Sequence, residues 1–177
     1  MSLQTITFVS FGTFDKDLLE KTAEAVAEEY HCAVNIRDEH IDLSEYFDAS
    51  RRQYDGNKLI NVVRTLTFPE SDKTLAFFSV DLFVPILTFI FGQAYLGGNA
   101  GIVSMYRLDN KRYGIPANNK LLLGRVIKEA NHELGHMLGL IHCKEPLCVM
   151  RSSTYVEDID QKNSHLCAKC REKLRTE

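Results

Sequence analysis

The stretch from Asn131 to Cys143 places histidines at 132, 136 and 142, a glutamate at 133 and a glycine at 139. On an α-helix, residues four apart lie one above the other on the same face, so His132 and His136 aim their imidazoles at a common point. Glu133 is rotated about 100° from His132 round the helix axis, which keeps its carboxylate beside that point without making it a ligand. A straight helix would present the next ligand at position 139 or 140, but the third histidine stands at 142, so the chain has to reverse before reaching it. Glycine takes left-handed backbone angles without a Cβ clash and commonly ends helices, so Gly139 permits the reversal. The segment is therefore committed to a helix, a stop and a return that brings His142 to a third corner.

Three neutral imidazoles, with a fourth position left for water, are a donor set suited to a catalytic zinc. A zinc held this way lowers the pKa of water to about 7, and Glu133 stands where a general base belongs. The competing interpretation is an amphipathic helix with three buried, satisfied histidines, and each of those would need a partner of its own. The coincidence of Gly139 and His142 with the His-Glu-x-x-His core favours the metal.

Five cysteines are present, and Cys143, Cys148, Cys167 and Cys170 fall near the C-terminus while Cys32 stands apart. One widely spaced pair and one Cys-x-x-Cys pair match a closed, structural zinc site of four thiolates; two disulfides are the alternative. Met1-Ser2-Leu3 is not followed by the basic and apolar regions of a secretory leader, so a cytoplasmic location is expected, where disulfides seldom persist. Cys32 is expected to be a small buried hydrophobe. Because His142 and Cys143 are consecutive, one peptide bond joins the two metal sites and couples them mechanically.

The pattern His-Glu-x-x-His-x-x-Gly-x-x-His, with Met150 further on, resembles the metzincin clan of zinc peptidases. The continuation through Cys143, Cys148, Met150, Cys167 and Cys170 is more specific and resembles the archaemetzincins, a family marked by a four-cysteine second zinc site. The match is dense over residues 132 to 170. Ser50-Arg51-Arg52-Gln53-Tyr54, Val80-Asp81-Leu82-Phe83-Val84-Pro85 and Gly101-Ile102-Val103-Ser104 add weaker similarity. The resemblance implies His132, His136 and His142 as ligands of a catalytic zinc, Glu133 as general base and Met150 as the residue of a methionine turn. It also implies Cys143, Cys148, Cys167 and Cys170 around a structural zinc, hence two zinc ions per chain. In metzincins a strand before the zinc helix forms the sheet edge that binds extended substrate, a position that suits Ile102 to Arg107. Ile102, Val103 and Ser104 are accordingly the expected substrate contacts, with an interior strand as the alternative.

At 177 residues, 45% hydrophobic and 25% charged, the chain has the size of one domain with a substantial core. The expected division is an N-terminal α/β part over 1–140, which includes the active-site helix, and a C-terminal part over 141–177. A net charge of −3 carries no electrostatic footprint for nucleic acid. Phe77 to Phe91 is apolar but interrupted by Asp81 and Pro85, too short and too polar for a membrane span. Strands are expected over Leu3 to Phe11, Ala33 to Ile36, Thr74 to Val80 and Gly101 to Arg107. Helices are expected over Asp15 to Tyr30, over Asn57 to Leu66, and from Ala117 to Asn119 onward after Pro116. Within Asp15 to Tyr30, Glu20, Lys21, Glu24, Glu28 and Glu29 form the solvated face. The fold expected is α/β: one metzincin-type domain with a twisted, mostly parallel mixed sheet, flanking helices, a zinc-binding active-site helix and a small C-terminal subdomain held by the four-cysteine zinc.

Several residues stay without a role. His31 and His40 read as surface positions, and His165 as a loop histidine beside Cys167. Arg51, Arg52, Gln53 and Tyr54 read as a solvated loop, with a substrate-facing patch as the alternative. Tyr95, Tyr106, Tyr113 and Tyr155 are packed tyrosines by default, and any one of them offers a phenol to an oxyanion. The activity expected is a zinc-dependent metallopeptidase, aminopeptidase-like or of narrow specificity, acting as a monomer on a peptide or protein substrate. The alternatives are a catalytically silent or partner-activated zinc-stabilised peptide-binding scaffold, and hydrolysis of a non-peptide amide or ester by the same residues.

Overall fold

The computed structural model describes residues 5–176. Its sheet is built on runs buried on both faces, which parallel strands covered by helices require. Strand β1 (Thr5–Phe11) pairs in parallel with β2 (Ala33–Glu39) on one side and with β5 (Lys73–Phe78) on the other. Beyond β5 lie β8 (Ala100–Ser104), also parallel, and β7 (Gly92–Ala94), antiparallel to β8, giving the order β2-β1-β5-β8-β7. A small second sheet joins β3 (Phe47–Asp48), β4 (Gln53–Asp55) and β6 (Leu82–Phe83).

Alternation along the strands sorts the core into two layers. Ile6, Phe8, Leu75, Phe77 and Val103 face α1 (Lys16–Tyr30) and α3 (Asn119–Met137). Val9, Phe11, Ala76, Phe78 and Ile102 face α2 (Gly56–Thr65). Phe8 and Phe77 are fully buried and touch ring to ring at 4.8 Å, each worth roughly 1.5–3 kcal/mol of burial. Helix starts follow the expected chemistry: Asp15, Asp55 and Asn118 each accept a backbone N–H of the first turn. A third, smaller core of Leu140, Cys148, Val149, Met150, Leu166 and Cys170 lies toward the C-terminus, where α4 (Val156–Gln161) and α5 (Ala168–Thr176) complete the chain.

Leu3, expected to open the first strand, lies with Met1 and Ser2 outside the described residues. β2 runs beyond Ile36 because its pairing with β1 continues to Phe11 opposite Glu39. The strand expected to end at Val80 stops at Phe78, and the one expected to reach Arg107 stops at Ser104. There Arg107 turns away into a bidentate ion pair with Asp81, at 2.6 and 2.7 Å.

The expected substrate edge is corrected. β8 is an interior strand between β5 and β7, and Ile102, Val103 and Ser104 are wholly buried. Helices cover both of its faces, so none of these three residues meets a substrate. The edge on the β8 side of the sheet is β7, a three-residue strand of Gly92, Gln93 and Ala94, and β2 forms the opposite edge. No helix among the described residues is long and apolar enough to cross a membrane.

Candidate metal centre

Helix α3 ends at Met137, and Gly139 then adopts φ 91°, which lets Leu140 N–H return to the Gly135 carbonyl at 2.9 Å. Lys73 caps the same helix end from β5, its ammonium donating to the Met137 and Gly98 carbonyls at 2.8 Å each. The reversal brings His142 beside His132 and His136, and one ring nitrogen from each lies within 4.8 Å of the others.

The hydrogen bonds of two rings decide their tautomer. His132 Nδ1 donates to the Val149 carbonyl at 2.8 Å, and His136 Nδ1 donates to the Leu140 carbonyl at 2.7 Å. A carbonyl only accepts, so each neutral ring carries its proton on Nδ1 and a bare lone pair on Nε2. The two Nε2 atoms face one another at 3.1 Å, close to the edge of about 3.3 Å for a tetrahedron with zinc-nitrogen bonds near 2.0 Å. Facing lone pairs at this distance need a cation between them. Burial, aided by the Lys162 ammonium, holds His132 well below the ordinary histidine range, which keeps the ring neutral.

Glu133 is almost fully buried and lies next to Glu129, one turn earlier on the helix and buried as well. Burial first, then the neighbouring Glu129, holds its pKa well above the ordinary carboxylate range. Lys162, also buried, donates to the Arg151 carbonyl at 2.8 Å and sets its ammonium 3.4 Å from His132 Nδ1. Glu129 and Lys162 escaped the sequence reading. Glu129 carries a detectable signal, its four-residue offset from Glu133, whereas Lys162 is an ordinary lysine in a polar stretch.

A cleft of about 720 Å³ opens over these groups, with α3 as its floor, Leu87 to Leu96 as one wall and Ser152 to Tyr155 as the other. No lysine or arginine among the described residues lines it. On either side of β7, the Phe91 carbonyl accepts from Ser104 N at 2.7 Å and Tyr95 N donates to the Ala100 carbonyl at 3.1 Å. The alternation of an antiparallel ladder therefore turns the N–H and C=O of Gly92 and Ala94 away from β8, toward the cleft side.

Of the four tyrosines, Tyr155 alone lines the cleft; Tyr95 donates to Asn61 and Tyr113 to the Arg107 carbonyl. Arg51 and Arg52 lie in a turn, half-buried and exposed, as the solvated loop requires, but Gln53 departs from it, and neither Arg51 nor Gln53 lines the cleft. Gln53 is buried and donates to Asp81 and to the Thr88 carbonyl, and Arg51 donates to the Leu87 carbonyl, so both brace the upper cleft wall from behind. His31 ends α1 in the left-handed conformation and His40 is exposed. His165 donates from Nδ1 to Glu29 at 2.7 Å. Glu29, expected on the wet face of α1, is buried and also accepts from Leu166 N and Arg171.

The four C-terminal cysteines converge as well. Their sulfurs all lie within 4.8 Å, with Cys143 to Cys167 and Cys148 to Cys170 at 3.8 Å. These distances exclude disulfides and equal the edge of about 3.8 Å for a tetrahedron with zinc-sulfur bonds near 2.3 Å. Cys32 packs half-buried against the main core, and burial pushes its thiol up to about 11. Met150 is fully buried and lies against Gly135, between the cysteine cluster and the histidines.

Three tautomer-fixed or converging imidazoles with a buried carboxylate beside them, at the floor of an open cleft, are the working parts of a metal-dependent hydrolase. Comparison with known proteins narrows this class. Residues 13–176 match Peptidase family M54. The archaemetzincin of Methanocaldococcus jannaschii is 38% identical over 136 residues, covering 76% of this chain and 74% of its own. The crystal structure of archaemetzincin from Methanopyrus kandleri superposes with a TM-score of 0.86 at 32% identity, covering 99% of this chain and 95% of its own. A zinc-dependent peptidase from Methanocorpusculum labreanum gives 0.84 at 31% identity, covering 96% and 99%. The chain belongs to peptidase family M54, the archaemetzincins, a family of zinc-dependent peptidases.

Proposed function

We propose that the chain hydrolyses peptide bonds with Glu133 as general base, its metal held by His132, His136 and His142. The observation that carries this is the buried Glu133 carboxylate at the cleft floor, next to imidazoles whose Nε2 lone pairs converge. A zinc held there supplies a Lewis acid that polarises a carbonyl and lowers the pKa of water. Glu133 accepts a proton from the attacking water and returns it to the leaving amine nitrogen. Its burial raises its proton affinity, which suits a group that must take the proton and then give it back.

A second zinc among Cys143, Cys148, Cys167 and Cys170 would find its coordination closed by four thiolates, so it braces structure and takes no part in the reaction. Two zinc ions per chain follow, and thiols arranged for metal suit the reducing cytoplasm. Met150 serves as the methionine turn. The substrate role moves to β7: an extended peptide adds to the outward N–H and C=O groups of Gly92 and Ala94. Without a lysine or arginine among the described residues of its lining, the cleft offers nothing to pair with a C-terminal carboxylate. Glu129 offers a carboxylate to an α-ammonium group, which favours an aminopeptidase-like mode.

The test is metal content and turnover of the parent and of Glu133→Ala. We expect two zinc ions per chain in both, and a kcat lower by about 10²–10⁴-fold in the variant. Two zinc ions with no turnover by the parent across a diverse peptide library would leave a zinc-stabilised binding protein instead.

A further inference from the structure

We infer that Gly92 is a positioning residue for Glu133, because the space its missing side chain leaves is the space the carboxylate occupies. This rests on Glu133 being the base. A Cβ built on Gly92 would fall 2.6 Å from Glu133 Oε1, 2.7 Å from Cγ and 2.9 Å from Cδ, closer than non-bonded heavy atoms approach. The backbone does not ask for glycine here. Gly92 lies in ordinary strand geometry opposite Val103 and is absent from the residues with positive φ, so alanine fits the main chain, and the three nearest atoms its Cβ would meet all belong to Glu133.

The glutamate has little freedom to give way. It is 4% exposed, its backbone is fixed in α3, and the buried Glu129 stands one turn earlier on the same helix. Gly92 also turns its own N–H and C=O toward the cleft side, as the flanking ladder bonds of Phe91 and Tyr95 require. The strand that presents backbone groups to a peptide and the carboxylate that handles the proton therefore touch at one residue. The distance between bound peptide and base is set by that contact, and no side chain at 92 other than hydrogen preserves it.

The experiment is a double-mutant cycle on the zinc-loaded full chain with four proteins: the parent, Gly92→Ala, Glu133→Ala and the double variant. The probe is a peptide hydroxamate, which chelates zinc and donates a hydrogen bond to the base, so its affinity is read without turnover. We expect Gly92→Ala to weaken the hydroxamate about tenfold when Glu133 is present, in line with coupling between residues in contact, and to leave the Glu133→Ala protein unaffected. In turnover, kcat falls about a hundredfold, with a smaller change in KM and full zinc content. Equal losses in both backgrounds, or no loss at all, overturn the inference. The thermal midpoints of the same four proteins close the cycle without a ligand. Should Gly92→Ala unfold or lose its metal, restoration by Glu133→Ala supports the steric contact, and a double variant as unstable as the single one overturns it. A parent that binds hydroxamate yet cleaves no peptide defeats the peptidase proposal while leaving the cycle to decide on Gly92.

Discussion

Glycines at this centre serve two different physical needs. Gly139 is required for its angle: at φ 91° any side chain meets the steric penalty of the left-handed region. Gly92, Gly101 and Gly135 are required for their emptiness, since a Cβ on Gly101 would meet Met137 Sδ at 2.8 Å and one on Gly135 would press on Met150. Gly139 was legible in the sequence because the offset from His136 to His142 cannot be spanned without a reversal. The other three were not, because the atoms that fill the space beside them come from distant segments. Replacing Gly139 with alanine should cost about 1–2 kcal/mol. The strain is relieved by moving His142, so a chelator competition should show histidine-site affinity weakened by about 5–30-fold. The four-cysteine site, joined to His142 through Cys143, should weaken by a smaller factor.

Among elements, the decisive join is between α3 and the segment that follows Cys148. The Val149 carbonyl that fixes the tautomer of His132 belongs to the residue after a buried thiol, and Cys143 N–H donates to the Met150 carbonyl at 2.9 Å. A ring whose second nitrogen is held by the backbone keeps its orientation only as long as that backbone does. Cys167→Ser with Cys170→Ser should therefore remove one zinc and also weaken the remaining one by about 10–100-fold, measured by metal titration. A single zinc bound with parental affinity would show that the lobes are independent. The coupling was visible from the adjacency of His142 and Cys143, though its route through Val149 was not. At the same scale β7 was missed, since Gly-Gln-Ala has neither the length nor the alternation that marks a strand, and its pairing is imposed by β8. Gln53 looked solvated for a related reason: what buries it is a wall contributed by Asp81 and Thr88.

At the scale of the molecule, the alternation of strands and helices already specified a parallel α/β sheet, because each apolar run is bounded by turn residues and followed by an amphipathic stretch. How the C-terminal lobe docks was invisible. Glu29 sits on the face of α1 that the charge pattern assigns to solvent, yet the lobe covers it, and its carboxylate gathers His165, the Leu166 N–H and Arg171. The carboxylate side chain is 2% exposed while that of Arg171 is 39% exposed, so the ion pair itself is screened and the buried acceptor matters most. Glu29→Ala should cost about 1–3 kcal/mol, chiefly by leaving Leu166 N–H without its acceptor. The loss should appear as faster proteolysis within residues 143–170, with the sheet core still resistant. Cleavage that began in the sheet instead would place the weak seam elsewhere.

The short outer strand has one more consequence, for how the molecule behaves in a crowd. Unsatisfied strand edges are templates on which chains polymerise, and natural proteins blunt them by brevity. β7 is three residues long, is entered from the braced wall ending at Phe91 and is left by a turn in which Gly98 N–H closes back on the Tyr95 carbonyl at 2.8 Å. A foreign strand finds two residues' worth of free backbone there before the chain curls away. On this edge of the sheet the opening is too narrow to nucleate a fibril.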